Sequence, residues 1–256
     1  MQSPFNLNLP TLDRFSVLVQ GIPNSGKTYL GGDMLKYESQ HGPVRFINVK
    51  GEDGWASAAG MDLGNIGVTV ESEADLQQVA ADMIREKVHA VVLDGARPLW
   101  GFIMNGIIQS EKPGTVPRLP DSKLDGDRSK TWWSQARFRM EENIKLLKTS
   151  CNIFLATTVS AQDIHEITGD KQIAPDVYGK AGSGLVGLFD FAGYMTWSLM
   201  GPGRIRREVS FQTRADVQTR QRLAVPVTEN IILPDGPGGW AVIKTALQKG
   251  LRKEKK

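Results

Sequence analysis

Cysteine and histidine are scarce in this chain. Cys151 is the only cysteine, and three histidines are spread over 256 residues. An intramolecular disulfide is therefore excluded, which suits a reducing compartment, and a cytoplasmic location is expected. Neighbouring His165 and Glu166 have no further ligands at metal spacing, so no metal centre is assigned there. The chain has no run of 18 apolar residues, and no membrane span is expected. Residues 1–10 show no basic stretch followed by an apolar one, so no secretory signal is expected. Asn-Lys-x-Asp, the guanine-recognition motif, does not occur. No internal repeat is visible. Hydrophobic content of 40% and charged content of 23% describe an ordinary globular protein.

Against these absences stands Gly21-Ile22-Pro23-Asn24-Ser25-Gly26-Lys27-Thr28, which matches G-x-x-x-x-G-K-[ST], the phosphate-binding loop of nucleotide triphosphatases. An apolar strand-type run, 15–20, precedes it. A helix can follow over 28–37, although Gly31 and Gly32 weaken it. Strand, glycine loop and helix aim backbone N–H groups and a helix N-terminus at phosphate oxygens. Gly21, Pro23, Asn24, Ser25, Gly26, Lys27, Thr28 and Tyr29 are the nucleotide-binding candidates. Lys27 reaches the β- and γ-phosphates in such loops, and the Thr28 hydroxyl ligates Mg²⁺.

A second signal follows. Residues 88–93 form an apolar strand pattern ending at Asp94, 66 residues after Thr28. In P-loop enzymes such an Asp holds Mg²⁺ opposite the loop hydroxyl. His89 alternates with buried positions and reads as structural. Residues 44–49 predict another strand, followed by Glu52 and Asp53 where open α/β sheets place their ligands. Glu52 is the candidate for orienting or activating the attacking water. Ser72 with Asp75 predicts a capping box opening a helix over 73–87. A helix is also expected from Arg97 to Ile108. A fourth buried strand, 151–157, ends in Thr157, Thr158 and Ser160, where a γ-phosphate sensor would stand.

The remaining stretches are read more coarsely. Residues 111–130 predict a long polar loop, and 131–149 a helix on which Trp133, Ala136, Met140, Ile144 and Leu147 share one face. Residues 161–184 predict a second long, function-bearing loop. Residues 194–199 and 205–211 flank Gly201-Pro202-Gly203, a hairpin signature carrying Arg204, Arg206 and Arg207. A last helix, 241–251, runs into a basic tail. Charge is uneven: from Gly201 onward 12 Lys/Arg face 5 Asp/Glu, or +7, which leaves −4 for the rest of a chain of net charge +3. A basic C-terminal fifth on a nucleotide-binding core points to a polyanion, with Arg204, Arg206 and Arg207 as candidate DNA contacts.

The P-loop unit, the strand leading to Glu52 and the strand ending at Asp94 together resemble the RecA-like core. Asp190-Phe191-Ala192-Gly193-Tyr194, the hairpin and Thr213-Arg214-Ala215-Asp216 are similar to phage-type nucleotide-binding ATPases, a group that includes Sak-type single-strand annealing proteins. The resemblance implies a single α/β domain with a mostly parallel central sheet flanked by helices and a C-terminal β-hairpin, its core spanning 14–245 and a basic tail 246–256. It implies ATP with Mg²⁺, single-stranded DNA, a homo-oligomeric ring or filament, and partnership with a single-strand DNA-binding protein. Glu52 matches the catalytic glutamate, and Thr157 and Thr158 the sensor. A cation from a neighbouring subunit would steady the γ-phosphate. Lys180, Arg214 and Arg220 are candidates for that cation. Two rival readings are a helicase loader or motor acting on protein partners, and a small-molecule kinase, for which Asp127-Arg128-Ser129 is the only motif.

Overall fold

The structure is a computed structural model that describes residues 13–51, 66–114, 120, 122–164, 171–177, 181–212, 216–223 and 226–251. Strand β1 (Phe15–Gly21) is buried along its whole length and runs directly into the glycine loop. Helix α1 (Lys27–Glu38) leaves that loop, and β2 (Val44–Val49), β3 (Gly67–Val70), α2 (Glu73–Glu86), β4 (Ala90–Asp94) and α3 (Ala96–Glu111) follow. After them come α4 (Ser122–Asp125), α5 (Arg128–Thr149), β5 (Ile153–Ile164), β6 (Lys171–Pro175) and α6 (Ala181–Leu188). The chain ends with β7 (Phe191–Gly201), β8 (Arg204–Ser210), β9 (Arg220–Gln221), β10 (Ile231–Leu233) and α7 (Gly239–Leu251).

The strands are ordered β10-β8-β7-β1-β5-β4-β2-β3, with β6 added to β5 and β9 to β7. Every pairing from β7 through β1, β5, β4 and β2 to β3 is parallel. The β7–β8 hairpin and β10 close one side antiparallel. This is the α/β architecture that the sequence implies, a mostly parallel central sheet flanked by helices, with a C-terminal hairpin. Strand β5 separates the P-loop strand from the strand that ends in Asp94. Because both sheet faces are covered, the parallel strands read as continuous apolar runs. On one face α1 and α7 bury Phe15, Val17, Val19, Met34 and Trp240. On the other, α2, α3, α5 and α6 bury Leu18, Leu93, Trp100, Trp132 and Phe154.

Local sequence explains most boundaries. The Ser72 hydroxyl accepts from the Asp75 N–H at 3.2 Å and opens α2 as expected. Four expectations change. The 111–130 stretch is not all loop, because α4 lies in it and α5 starts at Arg128. On α5 it is Trp132 that is fully buried, while Trp133 stacks on Trp100 with ring centroids 5.9 Å apart. The 161–184 loop contains the end of β5, its antiparallel partner β6 and the start of α6. The 245/246 boundary falls inside α7, whose Leu247 is buried. In the first and third cases tertiary context overrides a polar local composition.

The two glycines that weaken α1 have a packing reason. A Cβ at Gly31 would lie 2.9 Å from Val92 Cγ1, so the bare backbone lets α1 settle onto β4. The α1 carboxylates then fix α7. Asp33 accepts from the Gly238 and Trp240 N–H groups, both at 2.8 Å, and caps α7 from 205 residues away in sequence. The Glu38 carboxylate is fully buried and accepts from Trp240 Nε1 at 2.7 Å and Lys244 Nζ at 2.8 Å. His89 Nε2 lies 3.1 Å from the same carboxylate, which confirms His89 as structural.

Gly31→Ala sets two magnitudes against each other. Alanine gains about 1 kcal/mol of helix propensity, while overpacking a tight contact costs about 1–3 kcal/mol. Val92 is fully buried and, being β-branched, stiff at χ1, so a lower urea midpoint is expected for Gly31→Ala, and an unchanged or higher midpoint would refute the close-packing account.

Candidate functional site: a phosphate loop facing an acid-ended strand

The site is built where the parallel strands end. The backbone of the glycine loop turns through left-handed conformations at Asn24 (φ 60°) and Gly26 (φ 96°). Asparagine tolerates that region better than most residues, and glycine adopts it without strain. Successive turns of this kind leave N–H groups pointing to a common centre that suits an anion. Helix α1 begins at Lys27, the next residue, so its N-terminus faces the same centre. Lys27 Nζ sits over the loop, 2.8 Å from Ile22 O, 3.1 Å from Gly21 O and 3.3 Å from Ser25 Oγ. Ser25 is buried, while Pro23 and Asn24 are exposed on the outer turn.

Asp94 ends β4 and is buried. One carboxylate oxygen accepts from the Thr28 hydroxyl at 2.8 Å, and the other accepts from the Thr157 hydroxyl. Thr157 is placed for this by register, since it pairs with Asp94 on one side of β5 and with Val19 on the other. Helix α1 lies over β4, where Gly31 meets Val92, and so carries the Thr28 hydroxyl to the acid. The donor set, a hydroxyl and a carboxylate with loop amides beside them, fits a hard cation with oxygen ligands together with the phosphates it accompanies.

The sequence-derived residues divide clearly. Thr28, Asp94 and Thr157 come together beside Lys27. Thr158 is buried, and its hydroxyl donates to Val159 O at 3.2 Å. Glu52, Lys180 and Arg214 lie outside the described residues. Arg220 lies on β9, paired with Ala192 of β7, which is itself in register with Leu18 of β1. Arg220 Nη1 donates to Gly187 O at 2.6 Å. It flanks Asp190, which accepts from the Ser16 hydroxyl at 2.7 Å. Burial lowers the Arg220 pKa, Arg222 adds to the effect, and Asp190 opposes it.

The hairpin arginines also separate. Arg204 is exposed at the turn, and Arg206 lies 3.5 Å from Glu208. Arg207 points to the other face of β8 and lies against Gly26.

Two polar groups at this edge escaped sequence reading. Asn48, paired in register with Asp94, is buried with Oδ1 lacking a partner among the described residues. Gln20, one residue before the loop, donates to Gln218 O, while its Oε1 is buried and unpartnered. Both sit inside apolar strand patterns, and their position at a strand's carboxyl end is the signal that could have found them. Beyond Gly26 a pocket opens between α1, β8 and the β10–α7 loop, lined by Tyr29, Leu30, Met195, Arg207, Pro234 and Asp235.

Fold and loop together bring a P-loop motif and a strand-ending acid to one edge of a mostly parallel α/β sheet. No known protein family matches the chain, and no curated protein does. Among solved structures it is similar to the KaiC-like protein PH0186 from the hyperthermophilic archaeon Pyrococcus horikoshii OT3. That likeness has 12% identity, covers 88% of this chain and 87% of that one, and has a TM-score of 0.46. A likeness at that level carries no function across.

The shared carboxylate has a measurable cost when broken. Thr157→Val strands a buried Asp94 oxygen without its donor, and a loss of about 1–3 kcal/mol is expected. Thr157→Ser keeps the hydroxyl and should unfold close to wild type in urea. Equal midpoints for the valine and serine variants would show that the bond contributes nothing.

Proposed function

We propose that this chain is a Mg²⁺-dependent ATPase of the RecA-like kind, acting on single-stranded DNA in phage recombination or strand annealing. The observation that carries the ATPase reading is the Asp94 carboxylate shared between the loop hydroxyl of Thr28 and the strand hydroxyl of Thr157. Thr28 and Asp94 would hold Mg²⁺, whose charge would offset the negative charge that develops in phosphoryl transfer. Lys27 supplies the fixed positive charge at the β- and γ-phosphates. The loop amides orient the triphosphate, and Thr157, already bonded to Asp94, relays the state of that carboxylate into β5. Glu52 is the proposed general base. A trans-acting cation at a subunit boundary belongs to this reading, with Lys180, Arg214 and Arg220 as candidates and a homo-oligomer as the working form.

DNA as the partner rests on charge. The C-terminal fifth carries +7 against −4 elsewhere, and Arg204 and Arg206 stand on the projecting hairpin. A single-strand DNA-binding protein fits as an auxiliary partner in that setting. A second reading has one specific observation behind it. Leu199 and Met200, 67% and 60% exposed, make the hairpin tip apolar, as a protein-docking loader or motor would need.

Hydrolysis assays separate these readings. ATP turnover by the wild type should rise with added single-stranded DNA, and Lys27→Ala should lower it by at least about a hundredfold, the equivalent of about 2.7 kcal/mol. DNA affinity should fall steeply between 50 and 200 mM salt, roughly in proportion to the number of phosphates contacted. Turnover indifferent to DNA, with no DNA bound at low salt, would favour the protein partner. Equal turnover by wild type and Lys27→Ala would remove the ATPase reading.

A further inference from the structure

Arg207 differs in kind from its neighbours on the hairpin. Strand β8 alternates, so Glu208 and Arg206 share one face, where they pair, while Arg207 and the buried Val209 share the face packed by α1 and α7. Arg207 is thereby carried past the sheet core to the glycine loop. A Cβ built on Gly26 would meet Arg207 Nε at 3.1 Å and Cδ at 3.2 Å. Its Nε is buried with no hydrogen-bond partner among the described residues.

The nearby acids do not answer this charge. Asp33 lines the same pocket, but its two oxygens already accept from the Gly238 and Trp240 N–H groups. Asp235 also lines the pocket but is solvent-exposed and makes no ion pair with Arg207 among the described residues. A guanidinium with a buried, unsatisfied donor, beside a loop built for phosphate, lacks an anion. The position is also asymmetric. Asp94 and Thr157 flank the loop from the β5 side, whereas Arg207 flanks it from the β7–β8 side.

We infer that Arg207 is a nucleotide-binding residue acting within its own chain, donating to the α/β-phosphate side of the nucleotide held by the glycine loop. The inference rests on the nucleotide-binding reading above and goes beyond it by removing Arg207 from the DNA contacts. Gly26, whose amide belongs to the cradle for those phosphates, is the loop residue Arg207 touches, which is why the α/β side is assigned. The γ-phosphate end is left to Lys27 and Asp94. A second constraint on position 26 follows, because a side chain there would collide with Arg207 as well as strain the backbone.

The test is equilibrium calorimetry with ATP and with ADP, each with Mg²⁺, on wild type, Arg207→Met and Arg207→Gln. Binding of single-stranded DNA to the nucleotide-free proteins is measured in parallel. Both variants should bind ATP and ADP roughly ten- to hundredfold more weakly, the range for one charge-assisted hydrogen bond. DNA affinity should stay at the wild-type value. Two side chains are used because methionine can fill the pocket and glutamine can donate weakly, and a loss in both variants removes either artefact. Circular dichroism melting confirms that each variant is folded. Wild-type affinity for ATP in both variants would overturn the proposal, and so would weakened DNA binding with nucleotide binding intact. A loss confined to ATP would overturn the α/β assignment. Failure of the wild type itself to bind ATP would overturn the nucleotide reading on which the inference rests.

Discussion

The hydrogen bond from Thr28 to Asp94 is the constraint on which the rest of the site depends. It joins the first turn of α1 to the end of β4 across an intervening strand, at 2.8 Å. Neither residue could hold that position alone. Asp94 is accommodated in its buried position because both its oxygens have hydroxyl donors, and a buried carboxyl group without partners would carry a heavy desolvation cost. The order β1-β5-β4 makes the span possible, since one strand width separates loop from acid and Thr157 fills the gap.

Helix α1 has to be held rigidly for that bond to persist, and three long-range devices hold it. Gly31 seats it on Val92. Asp33 caps α7 and so draws the β10–α7 loop over the pocket beside the P-loop. Glu38, buried at the far end, gathers Trp240, Lys244 and His89 into one knot. A buried carboxylate with this many donors is satisfied rather than strained, and removing any one donor leaves part of its charge unanswered. The first turn of α1 therefore belongs to the loop and Asp94 while its far end serves the fold.

The glycine loop and Asp94 were legible because their chemistry is local: eight consecutive residues in one case, an apolar run closed by an acid in the other. The parallel core was legible for the same reason, as buried strands such as 88–93 have no polar face to disguise them. What escaped is decided at long range. Strand parity put Arg206 and Arg207 side by side in the sequence and on opposite faces in the fold. Asp33 reads as one more polar residue of α1 until Trp240, 207 positions later, arrives to be capped. The β5–β6 hairpin was hidden because an edge pair with polar side chains looks like a loop. Asn48 and Gln20 were hidden because a single amide within an apolar run raises no signal until its neighbours across the sheet are known.

The central claim is that Thr28 and Asp94 form one face of a Mg²⁺–nucleotide site. Calorimetric titration of the wild-type chain with ATP, once with Mg²⁺ and once with excess chelator, tests it directly, alongside the same pair of titrations on Thr28→Val. The account predicts one site per chain, with Mg²⁺ strengthening ATP binding in the wild type and making little difference in Thr28→Val, whose metal-free affinity stays near the wild-type value. The same Mg²⁺ enhancement in Thr28→Val as in the wild type, or no enhancement in either, would contradict it.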